Sequence, residues 1–297
     1  MKILVIIVTY NAMQWAEHCF NSLRNSSIVP DVFVVDNGST DGTQNYIQEH
    51  FPEVLFQQSK ENIGFGKANN VGLQYAYNNG YDYVYLLNQD AWVMSETFEK
   101  LIGISMNHPE YGILSPFQMN ADLCHIDIGF IKRVCSWNSN SDIFNDIYNN
   151  NLRQIYPVTT VMAAHWMITK KCLKKVGGFS PSFPHYGEDE NYLERVIYYN
   201  FKIGIVPSLR VVHDRGRRLD PPEKRIYMGF ISSIVRLSSP NISYISAIFF
   251  TICINLQLVI KYCSIRPVTN IIKVISRIGY INKNRKISMF YDCAFLN

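Results

Sequence analysis

Val34-Val35-Asp36-Asn37-Gly38-Ser39-Thr40-Asp41-Gly42-Thr43 is the stretch that decides the fold. Phe33, Val34 and Val35 form a short apolar run that reads as a buried strand, and the run stops on an acid. Asn37-Gly38 can take the positive φ of a tight turn, and Ser39, Thr40 or Asp41 can cap a following helix. A strand ending on Asp36 presents its carboxylate at the carboxyl edge of a sheet, which is where open α/β folds bind ligands.

Outward from this stretch, strand and helix alternate. Residues 3–8 read as a strand, 13–23 as a helix, 32–35 as a strand and 43–49 as a helix. Residues 54–57 follow as a strand, 66–77 as a helix and 83–87 as a strand. Such alternation predicts an α/β fold with a mostly parallel sheet flanked by helices. The rhythm breaks over residues 119–156, where Asn138-Ser139-Asn140-Ser141-Asp142 and Asn149-Asn150-Asn151 predict an irregular surface insert. Order resumes with 158–169, 170–176, a helix over 189–199, and two strands over 203–206 and 210–212. Beyond Pro221 the chain reads as helical and basic.

A hydrophobic share of 47% against 18% charged residues describes a globular chain able to bury a large core. The formal charge of +4 is too small to point to nucleic acid. Seven cysteines without a CxxC pair or metal-ligand spacing predict reduced thiols and a cytoplasmic setting. The apolar start, Met1-Lys2-Ile3-Leu4-Val5-Ile6-Ile7-Val8, is too brief for a secretory leader and leads straight into Thr9-Tyr10-Asn11, so it reads as the first strand. Residues 242–260 carry no charge and approach the ~20 residues of a bilayer span. Asn255 and Gln257 dilute that stretch, which favours a buried or interfacial helix over a true span. The cations from Lys261 to Lys286 that follow suit the anionic inner face of a membrane.

Several strand ends carry candidate chemistry. Asp36 can accept from the imide N–H of a pyrimidine or from a ribose hydroxyl, or it can simply cap its turn. Thr9-Tyr10-Asn11 ends the neighbouring strand at the same crevice. In Asn62-Ile63-Gly64-Phe65-Gly66, followed by Asn69-Asn70, two glycines permit close backbone approach and the amides offer paired donors and acceptors. Leu87-Asn88-Gln89-Asp90 ends a strand in a polar triplet whose Asp90 can hold a divalent cation. Glu188-Asp189-Glu190 opens a helix, answering its dipole or supplying a general base. His213 is a strand-end imidazole, and Arg215, Arg217 and Arg218 after it suit diphosphate oxygens.

In this order the segments resemble the family 2 glycosyltransferases of the GT-A fold, in particular the bacterial rhamnosyltransferase-like branch. The resemblance also rests on Val176-Gly177-Gly178-Phe179 and runs over about the first two-thirds of the chain. It implies a catalytic domain over 1–220, with a nucleotide-binding half (1–116) and an acceptor half (117–220), followed by a helical, basic, membrane-associating region over 221–297. It implies an inverting transfer from a nucleotide diphosphate sugar, of dTDP-rhamnose or UDP-sugar type, to an oligosaccharide acceptor on a lipid carrier at the inner face of the cytoplasmic membrane. Thr9, Tyr10, Asn11, Asp36, Asn37, Asn62, Gly64, Gly66, Asn69, Asn88, Gln89 and Arg215 then belong to the donor site. Asp90 and His213 hold Mg²⁺ or Mn²⁺, Asp189 with Glu188 is catalytic, and His165, Trp166 and Tyr186 line the acceptor pocket. Three departures from the family pattern stand out: Asn88 stands for an acid, Ser180-Pro181 replace acids, and Asn191 replaces a second Asp. The alternative they leave open is a catalytically degenerate nucleotide-sugar or glycan binder.

Overall fold

Ile3–Thr9 (β1) is apolar up to its last residue because both of its faces are covered: Leu4 and Ile6 enter one core layer, and Ile3, Val5 and Ile7 enter the other. The computed structural model describes residues 1–135, 142–215 and 221–296. Met13–Arg24 (α1), Asp31–Asp36 (β2), Thr43–His50 (α2), Leu55–Gln58 (β3), Phe65–Asn78 (α3) and Tyr83–Asn88 (β4) follow in the anticipated alternation. β2 and β4 flank β1 in parallel, and β3 lies outside β2. Gly72 lets α3 lie directly on β1, since a Cβ there would fall 2.7 Å from Ile6 Cγ2. The carboxyl ends of β1, β2 and β4 thereby meet along one edge.

The second half adds Ala91–Trp92 (β5), Thr97–Asn107 (α4), Tyr111–Met119 (β6), Ile128–Val134 (α5), Ile143–Tyr148 (α6) and Tyr156–Val158 (β7). His165–Thr169 (β8), Lys170–Val176 (α7), Glu188–Tyr198 (α8) and Lys202–His213 (β9) complete it. The sheet order is β3-β2-β1-β4-β8-β6-β9-β5, with β7 on β9. β8 runs antiparallel to both β4 and β6, while β6 and β9 are parallel.

Two expectations are corrected here. The stretch over 119–156 is not merely a surface insert, because Phe130, Val134, Ile143 and Tyr156 enter the main core from α5, α6 and β7. Asn138, Ser139, Asn140, Ser141, Arg217 and Arg218 lie outside the described residues. The two strands anticipated over 203–212 are one strand, β9, with an irregularity after Val206, so that Pro116 pairs with Val206 and Phe117 with Arg210. Pro207 has no N–H to give a ladder, which accounts for the break in register.

Pro222–Ser238 (α9), Tyr244–Tyr262 (α10) and Arg266–Phe290 (α11) form a three-helix bundle with its own core around Phe230, Ile234, Val274 and Ile281. The bundle is tied to the sheet domain at both ends. Gly187 is held under Ile231 and Val235 of α9, and α11 reaches the preceding loop through Asn284 Nδ2 to Ser182 Oγ at 3.0 Å. The chain then returns: Cys293 N donates to Lys174 O and Gly178 N donates to Ala294 O, each at 2.8 Å.

Candidate active site

The crevice begins with Asp36, whose carboxylate is buried and fully engaged. Oδ2 accepts from Thr9 Oγ1 at 2.8 Å and from Ser39 Oγ at 2.6 Å, while Oδ1 accepts from Gly38 N at 3.2 Å and Ser39 N at 2.9 Å. A carboxylate offers about four lone-pair sites, and all are taken. Asp36 and Thr9 therefore shape the turn. Asn11 does similar work, with Oδ1 accepting from Thr40 N, and Asn69 Nδ2 donates to Phe65 O inside α3. Gly66 is small because a Cβ there would press on Phe179 and Glu188.

The residues of the same motifs that do face open space are Tyr10, Asn37, Asn62, Gly64, Asn88 and Gln89, which together with Asp90 line a cleft of about 640 Å³. Its walls are fixed by local hydrogen bonds. Gln89 clamps the Tyr10 backbone, accepting from its N at 2.7 Å and donating to its O at 3.2 Å. Asn37 Oδ1 accepts from Ile63 N, and Asn62 Oδ1 accepts from Gly64 N in an Asx turn. Gly64, at φ +86° and ψ 159°, has an extended positive-φ conformation open essentially to glycine, and this lets the chain enter α3 beside the cleft.

At the cleft floor, strand register brings together two distant residues. Ala91 of β5 pairs with His213 of β9, and Asp214 N donates to Asp90 O at 2.7 Å, so Asp90 lies beside the imidazole. His213 Nε2 is 3.6 Å from Asp90 Oδ1 and 3.5 Å from Asn88 Nδ2, and its Nδ1 is 3.7 Å from Asp127 Oδ2. Burial opposes the charged form of Asp90, yet His213 and, more weakly, Arg215 hold its carboxyl below the ordinary range.

Asp127 was not legible as a site residue. It is buried, caps α5 by accepting from Phe130 N at 2.6 Å, and stands on the Nδ1 side of His213, where a carboxylate can orient an imidazole whose other nitrogen binds a metal. His213 Nδ1 is buried and has no hydrogen-bond partner among the described residues. Asp90 and the Asn88 amide oxygen, if turned inward, are hard oxygen ligands of the kind Mg²⁺ or Mn²⁺ takes when phosphates complete the shell, and the imidazole adds a borderline nitrogen that suits Mn²⁺ better than Mg²⁺. No group of three or more His, Cys, Asp or Glu able to hold a metal by itself occurs among the described residues.

A second hollow of about 240 Å³ opens from the first across Phe65, Asn88, Asp90 and His185. Its far side carries Glu188, Asp189 and Glu190 from the first turn of α8, together with Tyr186, Arg215 and Met228. Arg133 of α5 answers the acids, with Nη2 3.1 Å from Asp189 Oδ2 and Nη1 3.3 Å from Glu190 Oε1. Burial, then the neighbouring Asp189, pushes the Glu188 carboxyl up to about 7. Tyr186 has φ +68°, a strained backbone for a side chain of its size, and its ring lies 3.9 Å from that of His185. Arg215 lies close over the start of α5, where residue 129 is glycine and a Cβ would fall 2.9 Å from Nη1.

His165 and Trp166 are not on either wall, which corrects their expected place beside an acceptor. Trp166 is fully buried against Tyr192. His165 accepts from Tyr85 OH at Nδ1 and donates from Nε2 to Val212 O, both at 2.8 Å. Its burial presses the imidazole down to about 3, so it is neutral and serves to fix the end of β9 that carries His213.

The same architecture is found in solved structures. S. aureus TarS residues 1–349 with UDP superposes with a TM-score of 0.56 over 84% of this chain and 70% of that one, at 19% identity. GalNAc-T7 with UDP, GalNAc and Mn²⁺ superposes with a TM-score of 0.56 over 82% and 52%, at 12% identity. The fold is GT-A. Glycosyl transferase family 2 matches residues 4–173, more than half of the chain, and this protein belongs to that family. Among curated relatives, the N-acetylglucosaminyl-diphospho-decaprenol L-rhamnosyltransferase of Mycobacterium tuberculosis is 24% identical over 71% of this chain and 75% of its own length. The dTDP-rhamnosyl transferase RfbF of Shigella flexneri is 21% identical over 72% and 70%. The undecaprenyl-phosphate mannosyltransferase of Micrococcus luteus is 30% identical over 34% of this chain, a match spanning 43% of that relative.

Proposed function

We propose that this glycosyltransferase moves a sugar, with inversion, from a nucleoside diphosphate donor of the dTDP-rhamnose or UDP-sugar type to a hydroxyl of a lipid-linked glycan. The setting is bacterial surface polysaccharide synthesis at the cytoplasmic face of the membrane. The observation that carries this reading is the confluence of the two hollows at Asp90: a polar cleft large enough for a nucleotide on one side, and a row of acids on the other. The rhamnosyl relatives, one of them named for a diphospho-decaprenol substrate, support the donor and acceptor classes.

In this reading Tyr10, Asn37 and Asn62 hold the nucleoside, and Asp36 keeps their loops in place from beneath. Asp90 and His213 would hold Mg²⁺ or Mn²⁺, which when bound supplies positive charge against the diphosphate leaving group. Arg215 faces the same oxygens. Asp189 takes the proton of the acceptor hydroxyl as its oxygen bonds to the anomeric carbon and the bond from that carbon to the phosphate oxygen breaks. Configuration inverts because attack and departure occur on opposite faces of the sugar.

General-base catalysis is worth about 10²–10⁴-fold, so Asp189→Asn is expected to lose turnover on that scale. Donor binding, read as a rise in melting temperature with UDP or dTDP and Mn²⁺, stays near that of the wild type. Turnover like the wild type in Asp189→Asn removes the base assignment. A wild-type protein that binds donor without transferring or hydrolysing it is the degenerate binder instead.

A further inference from the structure

α10 is amphipathic in the reverse sense for a helix in water. Its inward face carries Ala247, Thr251 and Asn255, with Thr251 4% and Asn255 0% exposed. Its outward face carries Ile245, Phe249, Ile252, Leu256 and Ile260, spaced as one helical stripe, and Ile245, Phe249 and Ile260 are 81%, 69% and 78% exposed. The inward polar groups are spent on neighbours: Asn255 Nδ2 donates to Ser233 Oγ of α9, and Asn270 Nδ2 of α11 donates to Asn255 Oδ1, each at 3.0 Å. Large side chains point outward at a cost in water that no packing among the described residues offsets.

We infer that this stripe docks α10 flat into the interfacial layer of an anionic lipid membrane. Charge decides the occupant. Residues 241–291 hold seven Lys or Arg and no Asp or Glu, and Lys261, Arg266, Lys273, Lys283 and Lys286 are exposed. Arg266 has Glu223 of α9 at 3.6 Å, but α10 and α11 carry no acid of their own, so a second copy docked on them would bring like charges together, whereas an anionic leaflet answers them directly. The two chemistries interleave at the turn between α10 and α11, where exposed Ile260, Lys261, Ile265 and Arg266 follow one another closely.

Length alone would let the 19 residues of α10 cross a bilayer. Packing argues for lying along it, because α9 and α11 beside it are charged and the Asn255 bonds hold all three together. The inference deepens the reading of a lipid-linked acceptor and rests on it only for its purpose. Met228 of α9 lines the hollow with the acids, so one bundle presents both the stripe and a wall of the reaction site.

The test is flotation of the purified full chain with vesicles of phosphatidylcholine alone and of equimolar phosphatidylcholine and phosphatidylglycerol. Binding is expected to the anionic vesicles only and to weaken with salt. Ile245→Ser/Phe249→Ser/Ile260→Ser should lower partitioning on the order of 10²-fold or more. Lys261→Glu/Lys273→Glu, which leaves the apolar stripe intact, should lower it by at least ~10-fold. The melting-temperature rise with nucleotide and Mn²⁺, measured on the same variants, reports the cleft separately and should be unchanged. Variants that keep full vesicle binding overturn the docking face while leaving the donor site standing. No vesicle binding, with a concentration-dependent dimer abolished by the serine variants, overturns it in favour of self-association.

Discussion

Arg133 on α5 and Asp189 on α8 stand 3.1 Å apart across the second hollow, and the same guanidinium is 3.3 Å from Glu190. Both side chains of the first pair are largely shielded, at 25% and 18% exposure, so the contact orients the proposed base. A planar fork presents donors in fixed directions to both carboxylates, whereas a rotatable ammonium on a flexible stem does not fix their orientation. Arg133→Met is expected to lower kcat on the order of 10–10²-fold with donor KM little changed, because Asp189 loses its fixed direction. Arg133→Lys should recover only part of that. Steady-state kinetics with separate donor and acceptor titrations decide it, and unchanged kcat in Arg133→Met would sever the pair from catalysis.

Glu188 gives a pH signature in stability. Burial and then Asp189 raise its carboxyl from the ordinary 4.5 to about 7 in the folded chain. The folded state therefore holds a proton that the unfolded chain has released, and stability is full below about pH 4.5 and is lost as pH rises through about 7. At about 1.4 kcal/mol per pKa unit the loss is at most on the order of 3 kcal/mol. Glu188→Gln should flatten this fall and be the more stable protein at pH 8. Urea midpoints across the range measure it, and parallel curves for the two proteins would place the titration elsewhere.

The alternating half of the fold was open to reading because β1, β2 and β4 are apolar runs bounded by turn residues, and those patterns depend on local chemistry. Asp90 and His213 were each visible as strand ends, but their meeting depends on β5 pairing with β9, a register no local pattern encodes. Arg133 and Asp127 lie in a segment whose asparagine-rich surroundings hide two short helices anchored by single apolar residues such as Phe130 and Ile143. His165 and Trp166 stand in an apolar run like that of β1, and covering both faces of β8 buries them both.

Asp36 acts on the donor site without facing it. Asp36→Ala leaves two hydroxyls and two backbone N–H groups without their acceptor, and hydrogen bonds to charged groups are worth about 1.5–3 kcal/mol each. The expected loss of folding stability is about 3 kcal/mol or more, with the nucleotide-dependent rise in melting temperature abolished as the Asn37 and Gly38 turn relaxes. Asp36→Asn keeps one acceptor oxygen and should fall between. Denaturant titration with and without nucleotide is the measurement, and a stable Asp36→Ala that no longer binds nucleotide would return Asp36 to direct ligand contact.

Gly177 is where the segment that follows α11 is clasped. It has φ +81°, and a Cβ there would lie 2.1 Å from Ala294 O, inside the loop that Cys293 N and Gly178 N tie to α7. Arg195, fully buried, donates to Val176 O and Gly178 O around the same turn, and Phe295 covers its guanidinium at 5.3 Å. Gly177→Ala must both strain the backbone and expel Ala294, for an expected loss of about 2–4 kcal/mol. Removing residues 292–297 should cost stability on its own but leave room for the methyl group. The double change is then expected to cost less than the sum of the two, because both break the same contact. Additive losses in denaturant titrations would mean that the strain at Gly177, rather than the clasp, sets the cost.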